Sequence, residues 1–171
     1  KDRRPAPPPP MTPPILDRFW AAMDRNWKAV LAVLIGIYLI TVWPCLHDSY
    51  RMDGDNLGYS FLARSIVRLH AFVQIHLAGL PPVVQWGFGY PLLLAPAEWL
   101  FPGNVFAFKL VSVFSFCGAI VFIFLFFHRV ETPPFAWAAT ALAAFHPVLF
   151  DFTHDALAQS PYLLFLTASF Y

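Results

Sequence analysis

Asp53-Gly54-Asp55 sets two carboxylates just past the end of an apolar run, in a chain that otherwise avoids charge. An acidic pair at such a boundary costs free energy unless it is solvated, paired or used, so chemistry is sought there first. A carboxylate in that place can accept the proton of an attacking hydroxyl, and a low-dielectric neighbourhood raises its basicity. Arg51, Arg64 and Arg68 flank the pair, and a guanidinium matches the geometry of a phosphate. A second polar cluster, Asp151, His154 and Asp155, follows late in the chain. Together the two clusters suit a lipid-linked phosphate donor with a carboxylate base. Plainer roles compete for the same residues. Asp53-Gly54 reads as an ordinary turn, Asp55 as the N-cap of a helix starting near Asn56, and Asp155 as the cap of a later helix. His154 reads equally as a solvated interface imidazole. Asp53 with Asp55 is too little to define a coordination site, so neither a metal nor another cofactor is predicted.

The elements that must position these groups are membrane elements. Of 171 residues, 58% are hydrophobic, 18% aromatic and only 12% charged, against about 25% charged in a soluble domain. The expected fold is all-α: a polytopic membrane protein with about four transmembrane helices and amphipathic juxtamembrane helices in a long first outer loop. Residues 1–14 are proline-rich and basic and read as a disordered cytoplasmic tail. Ile15 to Lys28 fits a short interfacial helix, with Trp20 and Trp27 at headgroup depth. Spans are expected at about 29–46, 105–127 and 135–150, with a fourth begun but unfinished at 161–171. The first residue is Lys and the last lies inside an apolar run, so the chain reads as a piece of a longer protein.

Lys1, Arg3, Arg4, Arg18, Arg25 and Lys28 precede the first span, which places the N-terminus in the cytoplasm and the 47–104 loop outside. Within that loop, Tyr59, Leu62, Ile66 and Leu69 form one stripe of a helix headed by Asp55, with Arg64 and Arg68 on the far side. Gly79-Leu80-Pro81-Pro82 breaks the chain, Val83 to Phe88 is expected to be extended, and Leu92 to Phe101 forms a helix too short to cross. On this topology both polar clusters reach the same outer face.

Cys45 and Cys117 lack metal or haem spacing and read as buried, inert thiols. His146, before Pro147, is a tetrapyrrole ligand or a hydrogen-bonding partner of a neighbouring helix. The phenylalanines from Phe114 to Phe127 read as packing or lipid-facing surface. Transport is disfavoured because no span looks broken at mid-depth around a charge. Nucleic-acid binding has no support beyond a few tail residues.

Asp55, Tyr59 and Ala63-Arg64-Ser65-Ile66 resemble the Asp-x-x-x-Tyr-x-x-x-Ala-Arg-x-Leu segment of membrane glycosyltransferases of the GT-C superfamily, in the dolichyl-phosphate-mannose-protein mannosyltransferase-like and aminoarabinose-transferase-like branches. Phe88-Gly89-Tyr90-Pro91-Leu92-Leu93-Leu94-Ala95-Pro96 and then Trp99-Leu100-Phe101 are similar to their Gly-Tyr-Pro-Leu-Leu-Leu-Ala-Pro helix. Phe108-Lys109-Leu110 resembles the start of their second span. The resemblance makes 15–171 the N-terminal part of a GT-C-like transmembrane module. It implies inverting transfer of a sugar from a polyprenyl-phosphate donor to an acceptor on the extracytoplasmic side, in a bacterial inner or plasma membrane. Asp55 would be the base and Asp155 the second acid, with Asp53, Tyr59, Arg64, Arg68, Tyr90 and His154 around the substrates. Where the family often carries an acid near a proline, this chain reads Ala158-Gln159-Ser160-Pro161. That departure leaves a second expectation open: a non-catalytic subunit, truncated or repurposed, in a larger membrane-protein complex. Besides the bilayer and the lipid donor, such a complex is the expected partner.

Overall fold

The computed structural model describes residues 14–49, 55–83 and 87–171. Over those residues the chain is helical: α1 (Pro14–Arg25), α2 (Trp27–Val42, extended by a 3-10 turn Trp43–Cys45), α3 (Asn56–Leu69), α4 (Gly89–Leu100), α5 (Val105–Val130), α6 (Pro133–Ala144), α7 (Pro147–Thr153) and α8 (Gln159–Ser169). Residues 1–13 of the proline-rich tail, Arg51 and Asp53 lie outside the described residues, as do Val84, Gln85 and Trp86 of the predicted extended stretch, whose last residue, Phe88, is helical in backbone rather than extended.

Two helices are long and apolar enough to cross a membrane, Trp27–Cys45 and Val105–Val130. They match the predicted first and second spans. α5, at 26 residues, is about 39 Å long, more than the ~30 Å hydrocarbon core. Its start is fixed by Asn104, whose side chain accepts from the Ala107 N–H at 3.0 Å, a capping bond for an otherwise orphaned donor.

The predicted 135–150 span is not one helix. α6 and α7 are bent by 54° at a short break, because Pro147 lacks an N–H and forces His146 out of helical geometry, at φ −66°, ψ 123°. The bend falls at Pro147, and Asp151 and His154 follow it within two turns. The 161–171 segment begins earlier, at Gln159, and its 11 residues span only about 16 Å.

The main core lies among α2, α5 and α6, with Tyr38, Phe116, Ile120, Phe124, Ala136 and Trp137 among its buried members. The Tyr38 and Phe116 ring centroids are 5.3 Å apart. α8 lies so close to α5 that a Cβ placed on Gly118 would come within 2.8 Å of Leu164 Cδ1. A smaller cluster of Ala63, Tyr90, Leu94, Phe108 and Ala156 joins the α3–α4 pair to the bundle.

α3 is more widely buried than a single stripe. Asn56, Ser60, Leu62, Ala63 and Ser65 are all enclosed, whereas Leu69 is exposed. Small and polar residues dominate this surface because α4 packs closely against it. α3 ends at His70, which takes a left-handed conformation. Ser65 Oγ then donates to the Ala71 carbonyl at 2.8 Å and holds the departing chain. The Gly79–Pro82 break is a turn, across which Val73 and Pro82 form an isolated antiparallel bridge.

Candidate functional site

Asp55 is exposed immediately before α3. It occupies the N-cap position, yet its side chain makes no capping hydrogen bond and its backbone is helical, φ −70°, ψ −8°. Capping therefore does not account for this carboxylate. Its backbone carbonyl accepts from the Tyr59 N–H at 3.0 Å. Tyr59 stands one turn on, its ring edge-on to Tyr90 at 5.1 Å between centroids. Burial, and secondarily the negative charge of Asp55, push the Tyr59 phenol above its usual pKa, so it remains a neutral donor.

Asn56, next to Asp55, is fully buried and points inward. Its Nδ2 donates to Asp155 Oδ1 at 3.1 Å. Lys109 Nζ lies 3.8 Å from the same oxygen. Asn56, the residue after Asp55, thus reaches Asp155 of the second cluster, where the ends of α2 and α5 also meet. Asp155 is 0% exposed, and its Oδ2 has no hydrogen-bond partner among the described residues. This corrects the reading of Asp155 as a surface cap. It is a buried ion-pair member at the base of a cavity of about 320 Å³, bordered by Cys45, His47, Ser49, Lys109 and His154.

His154 is half-buried rather than solvated. Its Nδ1–H donates to the Phe150 carbonyl at 3.2 Å, and its Nε2 lies 3.7 Å from Asp151 Oδ1. Tyr90 is buried, with its hydroxyl 2.9 Å from Ser112 Oγ. Ser112 Oγ in turn lies within donating distance of the Leu157 carbonyl, at 3.3 Å. The tyrosine therefore braces α4 against α5, away from open solvent. Cys45 and Cys117 are half-buried, and Cys45 borders the cavity.

Arg64 and Arg68 do not stand ready for an external phosphate. Both turn to Glu98 of α4, which is 1% exposed. Arg64 Nε lies 3.3 Å and Arg68 Nη2 3.6 Å from Glu98 Oε1, while the Gly103 N–H donates to Oε2 at 2.7 Å. Gly103 adopts φ +72°, and a Cβ there would come within 3.0 Å of Arg64 Nη2. The positive φ is what favours glycine at this position.

Sequence reading missed Glu98, Asn56 and the ion-pairing role of Lys109. The available signal was that Glu98 and Lys109 are charges inside apolar helical runs, which demand partners. Among the described residues, no group of three or more His, Cys, Asp or Glu could hold a metal ion. No family model matches the chain, and neither the curated proteins nor the solved structures contain a match to it.

Proposed function

We propose that this chain is a GT-C-like membrane module that transfers a sugar from a polyprenyl-phosphate donor to a hydroxyl acceptor, with inversion and with Asp55 as the base. The acceptor oxygen forms its bond to the anomeric carbon as the bond to the phosphate oxygen breaks. The phosphate leaves with the electron pair, and the acceptor proton passes to Asp55. In this reading α6 with α7, and then α8, make further passes to give four spans, and the N-terminus is cytoplasmic.

The observation that carries the proposal is the position of Asp55. It is exposed, it makes no cap, and it adjoins Asn56, whose side chain is fixed to the Lys109–Asp155 pair under a polar cavity. An exposed carboxylate one residue from a side chain bonded to Asp155 of that cavity is suited to general-base work. Among the described residues, Lys109 is the lysine or arginine that borders the cavity, and in this reading it takes the phosphate-facing role first expected of Arg64 and Arg68. In the full-length protein, Asp55→Asn should lower transfer from a polyprenyl-phosphate sugar by about 10²–10⁴-fold while leaving its fold intact. Turnover within about threefold of wild type would sink the assignment.

The engagement of Arg64, Arg68, Lys109 and Asp155 within the fold favours a second reading, a non-catalytic subunit of a larger membrane complex. A stoichiometric complex surviving purification, with Asp55→Asn silent, would support that alternative.

A further inference from the structure

We propose that a trough along α6 binds one acyl chain of an anionic phospholipid from the surrounding bilayer. One cavity of about 320 Å³ lies between α1, α2 and α6, bordered by Phe19, Trp20, Val30, Leu34 and Trp137. A second, of about 670 Å³, continues past Leu142 and Phe145 to Pro147. Ala138 and Ala141 border both, so the two are one trough. The gap exists because α6 presents methyl groups where its neighbours present rings and branched chains. From Trp137 to the end of α6 at Ala144 the trough follows about 10 Å of helix rise before the bend to Pro147, within the reach of one chain in one leaflet of the ~30 Å hydrocarbon core. A gap of this kind forfeits dispersion contacts unless something fills it.

The charges at the Trp20 end say which lipid fits. Arg18, Arg25 and Lys28 are exposed around the α1–α2 junction. Of the two acids on α1, Asp24 is already held by His128, whose Nε2–H donates to it at 2.7 Å. The three exposed bases complement a lipid phosphate at headgroup level.

The test is native mass spectrometry of the full-length protein released from nanodiscs of mixed phosphatidylglycerol and phosphatidylcholine. One phosphatidylglycerol should stay bound in preference to phosphatidylcholine. Ala138→Leu/Ala141→Leu should lower its occupancy at least tenfold; both methyls face the trough rather than the core, so helicity and melting should match wild type. Arg18→Gln/Arg25→Gln/Lys28→Gln should abolish the preference between headgroups while a chain still binds. Equal retention by the leucine variant, or no bound phospholipid in wild type, would overturn the proposal. So would a polyprenyl phosphate or a protein chain displaced by the same leucines. Sugar transfer is not the readout, so the result stands apart from the fate of Asp55.

Discussion

Removing Glu98 should unfasten α3 from α4, and the structure sets the scale of the loss. Glu98 is buried and accepts from Gly103 N–H and Arg64, with Arg68 alongside. A charge-assisted bond from a buried backbone N–H contributes about 1.5–3 kcal/mol. The Arg64 pair, with the guanidinium side chain 28% exposed, falls between surface and buried pairs at about 1–2 kcal/mol. Arg68 is 53% exposed and adds less than about 0.5 kcal/mol. Glu98→Ala, which strands the Gly103 donor, should therefore cost about 3–5 kcal/mol. Glu98→Gln retains an oxygen for Gly103 and should cost only about 1–2 kcal/mol. Equilibrium unfolding in mixed micelles titrated with dodecyl sulfate measures both. A cycle pairing Arg64→Met with Glu98→Gln should show coupling of about 1 kcal/mol. Glu98→Ala within about 0.5 kcal/mol of wild type, or a cycle that is simply additive, would refute the clamp.

Three further outcomes are expected. Asp155→Leu should destabilise by about 2–4 kcal/mol, because Asn56 loses its acceptor and Lys109 a counter-charge, and adding Lys109→Met should recover part of that in the same unfolding assay. Gly118→Leu should push α8 from α5 at a cost of about 1–3 kcal/mol, seen as a lower melting temperature and faster cleavage near Tyr171. The Tyr59 phenol, raised above its usual pKa by burial and then by Asp55, should ionise later than exposed tyrosines, as read from the ultraviolet titration difference between wild type and Tyr59→Phe. The folded state then holds the proton that the unfolded chain releases, so Tyr59 adds no pH dependence below about pH 10 and stability falls above it. Asp55→Asn should lower the Tyr59 pKa without restoring it, since burial is the larger cause.

The long elements were legible because periodicity and apolar length are local properties. α2 and α5 begin and end within a few residues of expectation, and α4 opens at Gly89, three residues before the predicted Leu92. Pro91 falls in the first turn, where its missing N–H costs no helical bond. The α6–α7 break was also written in the sequence, at His146-Pro147, but composition alone made the run look continuous. What stayed hidden was pairing. Nothing local tells Arg64 that Glu98, on another helix, will claim it, or tells Asp155 that Asn56 and Lys109 will enclose it. Such contacts depend on how helices pack, whereas a cap or a turn depends on its neighbours in the chain. Asp55 was found because its place at a helix start is local. Its lack of a capping bond required the coordinates.

α5 carries Lys109 near one end and His128 near the other, about 28 Å apart along a continuous helix. The first joins Asp155, and the second holds Asp24 of α1. No proline interrupts the helix between them, so it moves as a shaft rather than as two independent halves. A tilt of about 5° about one end carries the other through about 2.5 Å, enough to break a hydrogen bond. Strain applied to α1 therefore has a rigid route to the Lys109–Asp155 pair, from one end of the bundle to the other through a single element.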